Sequence, residues 1–123
     1  MLCSTIREIL TYAGEKYGDR DAVRYKEGKT LIAAKTYNEL IQDSERFSQA
    51  LNSLGEQGGH IAITGMTSYP WLLAYFGTVN SGSVAVPLDV SLPAEEMCEL
   101  IDRADATVFV VDEVRADVAA MAK

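Results

Sequence analysis

Two early segments place their apolar residues at helical spacing, whereas the later apolar residues gather in short unbroken runs, and this contrast predicts the elements of the chain. Across residues 5–17, Ile6, Ile9, Leu10 and Ala13 fall on one stripe. Thr5 and Glu8 stand three apart, the spacing at which each side chain can satisfy an orphan N–H at a helix start. Gly14 weakens this helix and Gly18-Asp19 ends it. Residues 22–26 and 30–34 alternate as the arms of a hairpin around Glu27-Gly28-Lys29. A second helix is predicted over residues 37–54, with Tyr37, Leu40, Ile41, Phe47, Leu51 and Leu54 on its apolar positions. Thr36 and Glu39 repeat the capping pair, and Ser44, Ser48 and Ala50 are small enough for close packing. Gly55 suits a left-handed helix end, and residues 55–59 read as a flexible loop.

The rest alternates regularly. Apolar strands are predicted at residues 60–64, 83–88 and 107–111. Between them run helices over residues 69–80, with Ser68 as N-cap and Pro70 in the first turn, and 93–104, opened by Pro93. A last helix starts near Asp112. Continuous apolar strands alternating with helices predict an α/β fold: a parallel sheet with helices on both faces, built as βαβαβ with right-handed crossovers. A helix, a β-hairpin and a helix precede it. Residues 60–64 read as buried strand and not as part of a membrane span, because Gly65, Pro70 and the serines that follow cut the uncharged stretch into pieces too short to cross a bilayer.

Composition narrows the function. With 48% hydrophobic and 24% charged residues in 123, the chain is globular in type. Net charge is −7, and residues 61–123 carry 3 basic groups against 9 acidic ones. A basic footprint for nucleic acid is therefore absent. Cys3 and Cys98 make no disulfide framework, and His60 is the single histidine, so neither a zinc site nor a Ser-His-Asp triad is supported. Residues 1–12 include Arg7 and Glu8 with no apolar run, which reads as no signal peptide and a cytoplasmic location.

Several residues invite chemistry, and each has a plainer explanation. Gly65, after the first parallel strand, has neither the GxGxxG nor the GxxxxGK[ST] context of a phosphate loop and is read as a tight turn. Asp89 and Asp112 follow strand ends, where open sheets bind ligands, but a lone aspartate there is commonly a loop or cap residue. Tyr69, Trp71, Tyr75 and Phe76 could line an apolar channel, and their spacing favours core instead. His60 follows two glycines and is read as a strand-entry residue. Glu95, Glu96, Glu99 and Asp102 form a solvated helix face.

The order of short motifs resembles the N-terminal part of the adenylate-forming (AMP-binding) superfamily, which includes acyl-CoA synthetases, luciferases and peptide-synthetase adenylation domains. Lys16-Tyr17-Gly18-Asp19-Arg20-Asp21-Ala22 is similar to that family's "YGD-x-x-A", and Thr36-Tyr37-Asn38-Glu39-Leu40 to its "TYxEL". Ile61-Ala62-Ile63 follows a glycine-rich loop, and Trp71 sits in the next helix, where the family often has "EW". Ser81-Gly82-Ser83-Val84-Ala85-Val86-Pro87-Leu88 resembles "AGAVxVPL", Leu92-Pro93-Ala94-Glu95-Glu96-Met97 resembles "LPxEEL", and Ala106-Thr107-Val108-Phe109 resembles "AxxVF". The series spans nearly the whole chain, and its "VPLD…LPxEE" form leans toward long-chain fatty acyl-CoA synthetases. Gly59-His60, Met66-Thr67-Ser68 and Pro70 depart from the family pattern.

The resemblance implies that residues 1–123 are an incomplete N-terminal part of the large domain of an ATP-dependent acyl-CoA synthetase. The Ser/Thr/Gly-rich loop ending in Pro-Lys, the Tyr-Gly-x-Thr-Glu segment, the ribose-binding Asp and the C-terminal lysine of that family have no counterpart here, and Lys123 matches no such motif. No catalytic, cofactor-binding or metal-binding residue is therefore assigned within residues 1–123. ATP, Mg²⁺ and CoA, with a small carboxylic acid such as a fatty acid, are implied for the longer enzyme, and this stretch alone is expected to be inactive and prone to self-association. The alternatives are a non-catalytic α/β binding or interaction module and part of an amino-acid adenylation domain. A response-regulator receiver is disfavoured, because no lysine lies between Lys35 and Lys123.

Overall fold

Each of the first two helices starts where a threonine hydroxyl can take up a free N–H. In the computed structural model, which describes residues 3–28, 30–55 and 58–121, helix α1 (Ile6–Tyr17) begins on Thr5, whose Oγ1 accepts from Glu8 N at 3.1 Å. The Glu8 carboxylate reaches one residue further back than the capping pair predicts and accepts from Ser4 N at 2.7 Å. Helix α2 (Tyr37–Ser53) has the full reciprocal pair: Thr36 Oγ1 accepts from Glu39 N, and Glu39 Oε1 accepts from Thr36 N. Gly55, at φ +78°, follows the end of α2 as expected. Between the two helices, strands β1 (Asp21–Glu27) and β2 (Leu31–Thr36) form the antiparallel hairpin. Lys29 of its turn, Glu56 and Gln57 of the glycine-rich loop, and Lys123 lie outside the described residues.

The second half follows the predicted alternation: β3 (His60–Thr64), α3 (Tyr69–Asn80), β4 (Val84–Pro87), α4 (Ala94–Arg103), β5 (Ala106–Val111) and α5 (Ala116–Met121). The three strands pair in parallel in the order β4-β3-β5, so β3 is central and residues 61–64 are all buried. The α-helical part of the last helix starts later than predicted. A 3-10 turn, Glu113–Arg115, precedes α5; Asp112 stands at its N-cap position without a side-chain capping bond, and its Oδ2 accepts from Met66 N across the sheet edge.

Side-chain alternation along the strands divides the core. Ile61 and Ile63 pack with Leu51 of α2 and Ala74 of α3, and Phe47, Trp71, Tyr75, Ala85, Val108 and Val110 close around them. The opposite face is covered by α4 and α5, which pack on β5 and contribute the fully buried Met97 and Val118. The fold is thus an α/β arrangement with helices on both faces of a parallel sheet, as the apolar pattern predicts. No helix among the described residues is long and apolar enough to cross a membrane.

Helices α2 and α3 approach closely because small residues face each other. A methyl group on Gly77 would lie 2.6 Å from Phe47 Cδ1 and 2.7 Å from Phe47 Cβ. Ser48, buried on α2, donates from Oγ to Gly77 O at 2.5 Å across the seam, and Ser44 donates to Leu40 O within its own helix. Gly14 has a similar role at the α1–α2 contact, where an added Cβ would meet Ile41 Cδ1 at 2.6 Å. The glycine that weakens α1 as a helix is thus what lets it sit on α2. The hairpin joins this assembly through Tyr69. Tyr25 stacks on the Tyr69 ring at 5.7 Å and 8°, Lys35 Nζ lies 5.6 Å from the ring centre, and the phenol donates to Asp43 Oδ2. Burial first, then the Asp43 carboxylate, raises the Tyr69 hydroxyl pKa well above the ordinary tyrosine value.

Gly77→Ala is expected to lose about 1–3 kcal/mol, the usual range for overpacking a seam. Ser48→Ala, which removes one buried hydrogen bond, is expected to lose about 1 kcal/mol. Urea denaturation of the two variants checks this, and an unchanged midpoint for Gly77→Ala would show that the seam is looser than described.

Candidate functional site

Ligands of open parallel sheets bind beyond the carboxyl ends of the strands, where neighbouring strands feed helices on opposite faces. Here that position lies between β3, which leads into α3, and β5, which leads into α5. A cavity of about 80 Å³ occupies it, lined by Thr64, Gly65, Met66, Ser68, Trp71 and Asp112 among others. At roughly 30 Å³ per water it holds two or three water molecules, far short of the ~300 Å³ at which small-molecule sites begin.

The loops around the cavity are tied to one another by side chains. Asp112 Oδ2 accepts from Met66 N at 2.7 Å, fastening the start of the β3–α3 loop to the end of β5. That approach needs a glycine beside it, since a Cβ on Gly65 would lie 2.9 Å from the same oxygen. Asp112 Oδ1 is buried and has no partner among the described residues. Thr64 Oγ1 donates to Leu88 O at 3.0 Å, and Leu88 N donates to Ile63 O at 2.8 Å, which extends the β3–β4 pairing past Pro87. Ser68 caps α3, its Oγ accepting from Trp71 N at 3.3 Å.

The β4–α4 loop has its own ties. Asp89 Oδ1 accepts from Ser91 N and from Ser91 Oγ, and these two bonds, the backbone one first, hold the Asp89 carboxyl below the ordinary aspartate pKa. Arg115, from the turn after β5, donates through Nη1 to Val90 O and Leu92 O. Its Nε and Nη2 donate to the two carboxylate oxygens of Asp117, which lowers the Asp117 pKa and raises that of Arg115. One guanidinium therefore fixes the loop after β4, at the far side of β3 from β5, and starts α5.

A family model described as AMP-binding enzyme matches residues 10–123 of this chain. The chain belongs to the AMP-binding enzyme family. A 4-coumarate–CoA ligase-like protein of Oryza sativa is 28% identical over 116 residues, covering 92% of the chain and 20% of that protein. A D-alanine–D-alanyl carrier protein ligase of Listeria innocua is 36% identical over 80 residues, covering 63% of the chain and 16% of that ligase. The solved complex of VinN with L-aspartate superposes with a TM-score of 0.85 at 24% identity, over 98% of the chain and 33% of VinN, a likeness of fold. The chain spans about a fifth of the length of the curated relatives it matches.

Within this AMP-binding enzyme chain, each residue singled out from the sequence has a local task. Asp112 and Asp89 organise separate loops. His60, exposed at the start of β3, donates from Nδ1 to Ala104 O at the end of α4. Tyr69 is buried, and Trp71 and Tyr75 stack on each other against the core. Among the described residues, no group of three or more His, Cys, Asp or Glu is placed to hold a metal ion. The sequence reading missed Arg115 and the Tyr69–Asp43 bond. Scarcity was the available signal for the first: only 3 basic residues lie beyond position 60, so each is worth tracing. The second joins residues 26 apart and leaves no trace in local spacing.

Two outcomes test these ties. Asp112→Ala should speed amide exchange at Met66 by about tenfold, the equivalent of about 1.4 kcal/mol, while the α4 amides stay unchanged. An unaltered Met66 rate would show that the carboxylate does not hold the loop. In a pH titration by NMR, the Ser91 amide should shift with a midpoint below the ordinary aspartate value of 3.8. A depressed carboxyl stabilises the fold above its unfolded pKa, and that support fades as pH falls through the folded value. Asp89→Asn should abolish the transition.

Proposed function

We propose that residues 1–123 form the N-terminal part of the large domain of an AMP-forming acid–thiol ligase, in the first instance an acyl-CoA synthetase acting on a fatty acid. The family match over residues 10–123 carries this reading. The motif series from Lys16-Tyr17-Gly18-Asp19 to Ala106-Thr107-Val108-Phe109 supports it, and its "VPLD…LPxEE" form is the basis for the fatty-acid preference. A cytoplasmic location accords with Cys3 and Cys98 both being free thiols.

The reaction of such an enzyme has two steps. A carboxylate oxygen attacks the α-phosphorus of ATP and pyrophosphate leaves, giving the acyl-adenylate. The sulfur of CoA then attacks the acyl carbon, AMP leaves with the electron pair of the broken C–O bond, and the thiol proton passes to solvent. Bound with ATP, Mg²⁺ would offset the charge on the phosphates. In this reading no catalytic step is assigned to residues 1–123. What this stretch contributes is a rigid sheet whose loops are internally tied.

A second reading, an amino acid joined to a carrier-protein thiol, is favoured by one observation. The D-alanine–D-alanyl carrier protein ligase is 36% identical over its matched residues, against 28% for the CoA ligase-like protein, though over a shorter span.

ATP–pyrophosphate exchange with a panel of fatty, aromatic and amino acids tests both. The 123-residue chain alone should give no exchange above the no-protein control. A full-length parent should exchange with one acid class and then consume CoA or load a carrier protein. Exchange by the chain alone would overturn the assignment of chemistry to residues outside it.

A further inference from the structure

A cleft of about 470 Å³ lies at the other end of the sheet from the candidate site, where α3 ends at Asn80 and the turn over residues 81–83 leads into β4. Its walls are one face of α1, one face of α2 and the end of α3, and α1 packs against both of the other helices. Small-molecule sites occupy roughly 300–1,000 Å³, so this cleft has room for a ligand, whereas the 80 Å³ cavity between β3 and β5 does not.

The hydroxyls of the lining are spent within the fold. Thr11 Oγ1 donates to Arg7 O at 3.0 Å, Ser48 Oγ to Gly77 O, and Ser81 Oγ to Thr78 O at 2.7 Å. Three other groups are not spent. Among the described residues that line the cleft, Arg7 is the one cation and Glu45 the one anion. Their side chains form no ion pair with each other or with any other described residue. They stand on two walls of one cleft, too far apart to pair. The third group is the Asn80 amide, whose Oδ1 is buried without a donor among the described residues. A buried acceptor in that state needs an explanation. Asn80 as a whole is half-buried, and a half-turn about its last torsion, which is soft, brings this oxygen to the cleft. Leu10, Ile41 and Val79 add an apolar patch to the lining.

We propose that this cleft binds a free aliphatic α-amino acid as its zwitterion. The carboxylate lies on the Arg7 guanidinium, the ammonium donates to Glu45 and to Asn80 Oδ1, and the aliphatic side chain lies against Leu10, Ile41 and Val79. A lone anion is opposed by Glu45 and a lone cation by Arg7, so the two charges select a ligand that carries both signs close together. The cleft is remote from the carboxyl ends of the strands, and the inference holds whichever acid a longer enzyme activates. Its readout needs no catalysis, so it fails or stands separately from the exchange assay.

The test adds three probes to the 123-residue chain and follows its backbone amides by NMR. The first is L-leucine. The second, 4-methylpentanoate, is leucine without its ammonium, and the third, 3-methylbutylamine, is leucine without its carboxylate. L-Leucine should shift amides within residues 7–11, 45–52 and 79–82, with a dissociation constant on the order of 1 mM. The two singly charged probes should bind about tenfold more weakly, the size of one lost hydrogen bond to a charged group. Arg7→Gln and Glu45→Gln replace exposed side chains, so both variants keep the fold. Each should weaken L-leucine about tenfold. Arg7→Gln should at the same time tighten 3-methylbutylamine, and Glu45→Gln should tighten 4-methylpentanoate, because each removes the like charge that opposes that probe. A merely structural effect of either substitution would tighten neither. Equal binding of all three probes overturns the proposal, as does an unchanged order of the probes in both variants. So does the absence of any shift with L-leucine at about ten times that constant, or a shift confined to residues 64–68 and 112, which would put the amino acid at the carboxyl edge.

Discussion

The seam between α2 and α3 is the contact on which the arrangement of the other layers depends. Phe47 occupies the space that a side chain at Gly77 would need, and the Ser48 hydroxyl reaches across to the Gly77 carbonyl. Both features exist only when the two helix backbones lie close together. That closeness sets the height at which Leu51 and Ala74 meet Ile61 and Ile63 of the central strand. It also fixes Tyr69, at the start of α3, beside Asp43 of α2, and Tyr69 in turn receives the hairpin through Tyr25. Among the described residues the hairpin has no sheet neighbour beyond its own two strands, so its position on the domain is inherited from the helix pair.

Polar side chains at the carboxyl edge act in the same structural sense. Arg115, Asp112, Thr64 and Asp89 spend their hydrogen bonds on loop backbone. The loops after β3, β4 and β5, which would otherwise be independent, are joined in this way.

Much of this fold is legible in the sequence because its signals are local. Thr36 and Glu39 are three residues apart and bond each other, and Ser68 precedes Pro70 at a helix start. The three apolar runs become the three parallel strands with boundaries shifted by one residue at most. What the sequence hides depends on distant pairs. Gly14 reads as a helix weakness until Ile41 is placed against it, and Asp112 reads as a helix cap until Met66 is found 46 residues away. The last helix opens beside Asp112, as read, but as a 3-10 turn over Glu113–Arg115 that becomes α-helix only at Ala116. Of the candidate site, the place of Asp112 at a strand end was legible, whereas its bond to Met66 was not.

Asp112 has one more consequence, for competition. Its carboxylate occupies the Met66 N–H at the mouth of the β3–α3 loop, the kind of donor that phosphate groups take at helix starts in other parallel folds. A tethered group of this kind acts at an effective concentration on the order of millimolar or more. A free anion must displace this internal rival, which never diffuses away, to reach the Met66 N–H.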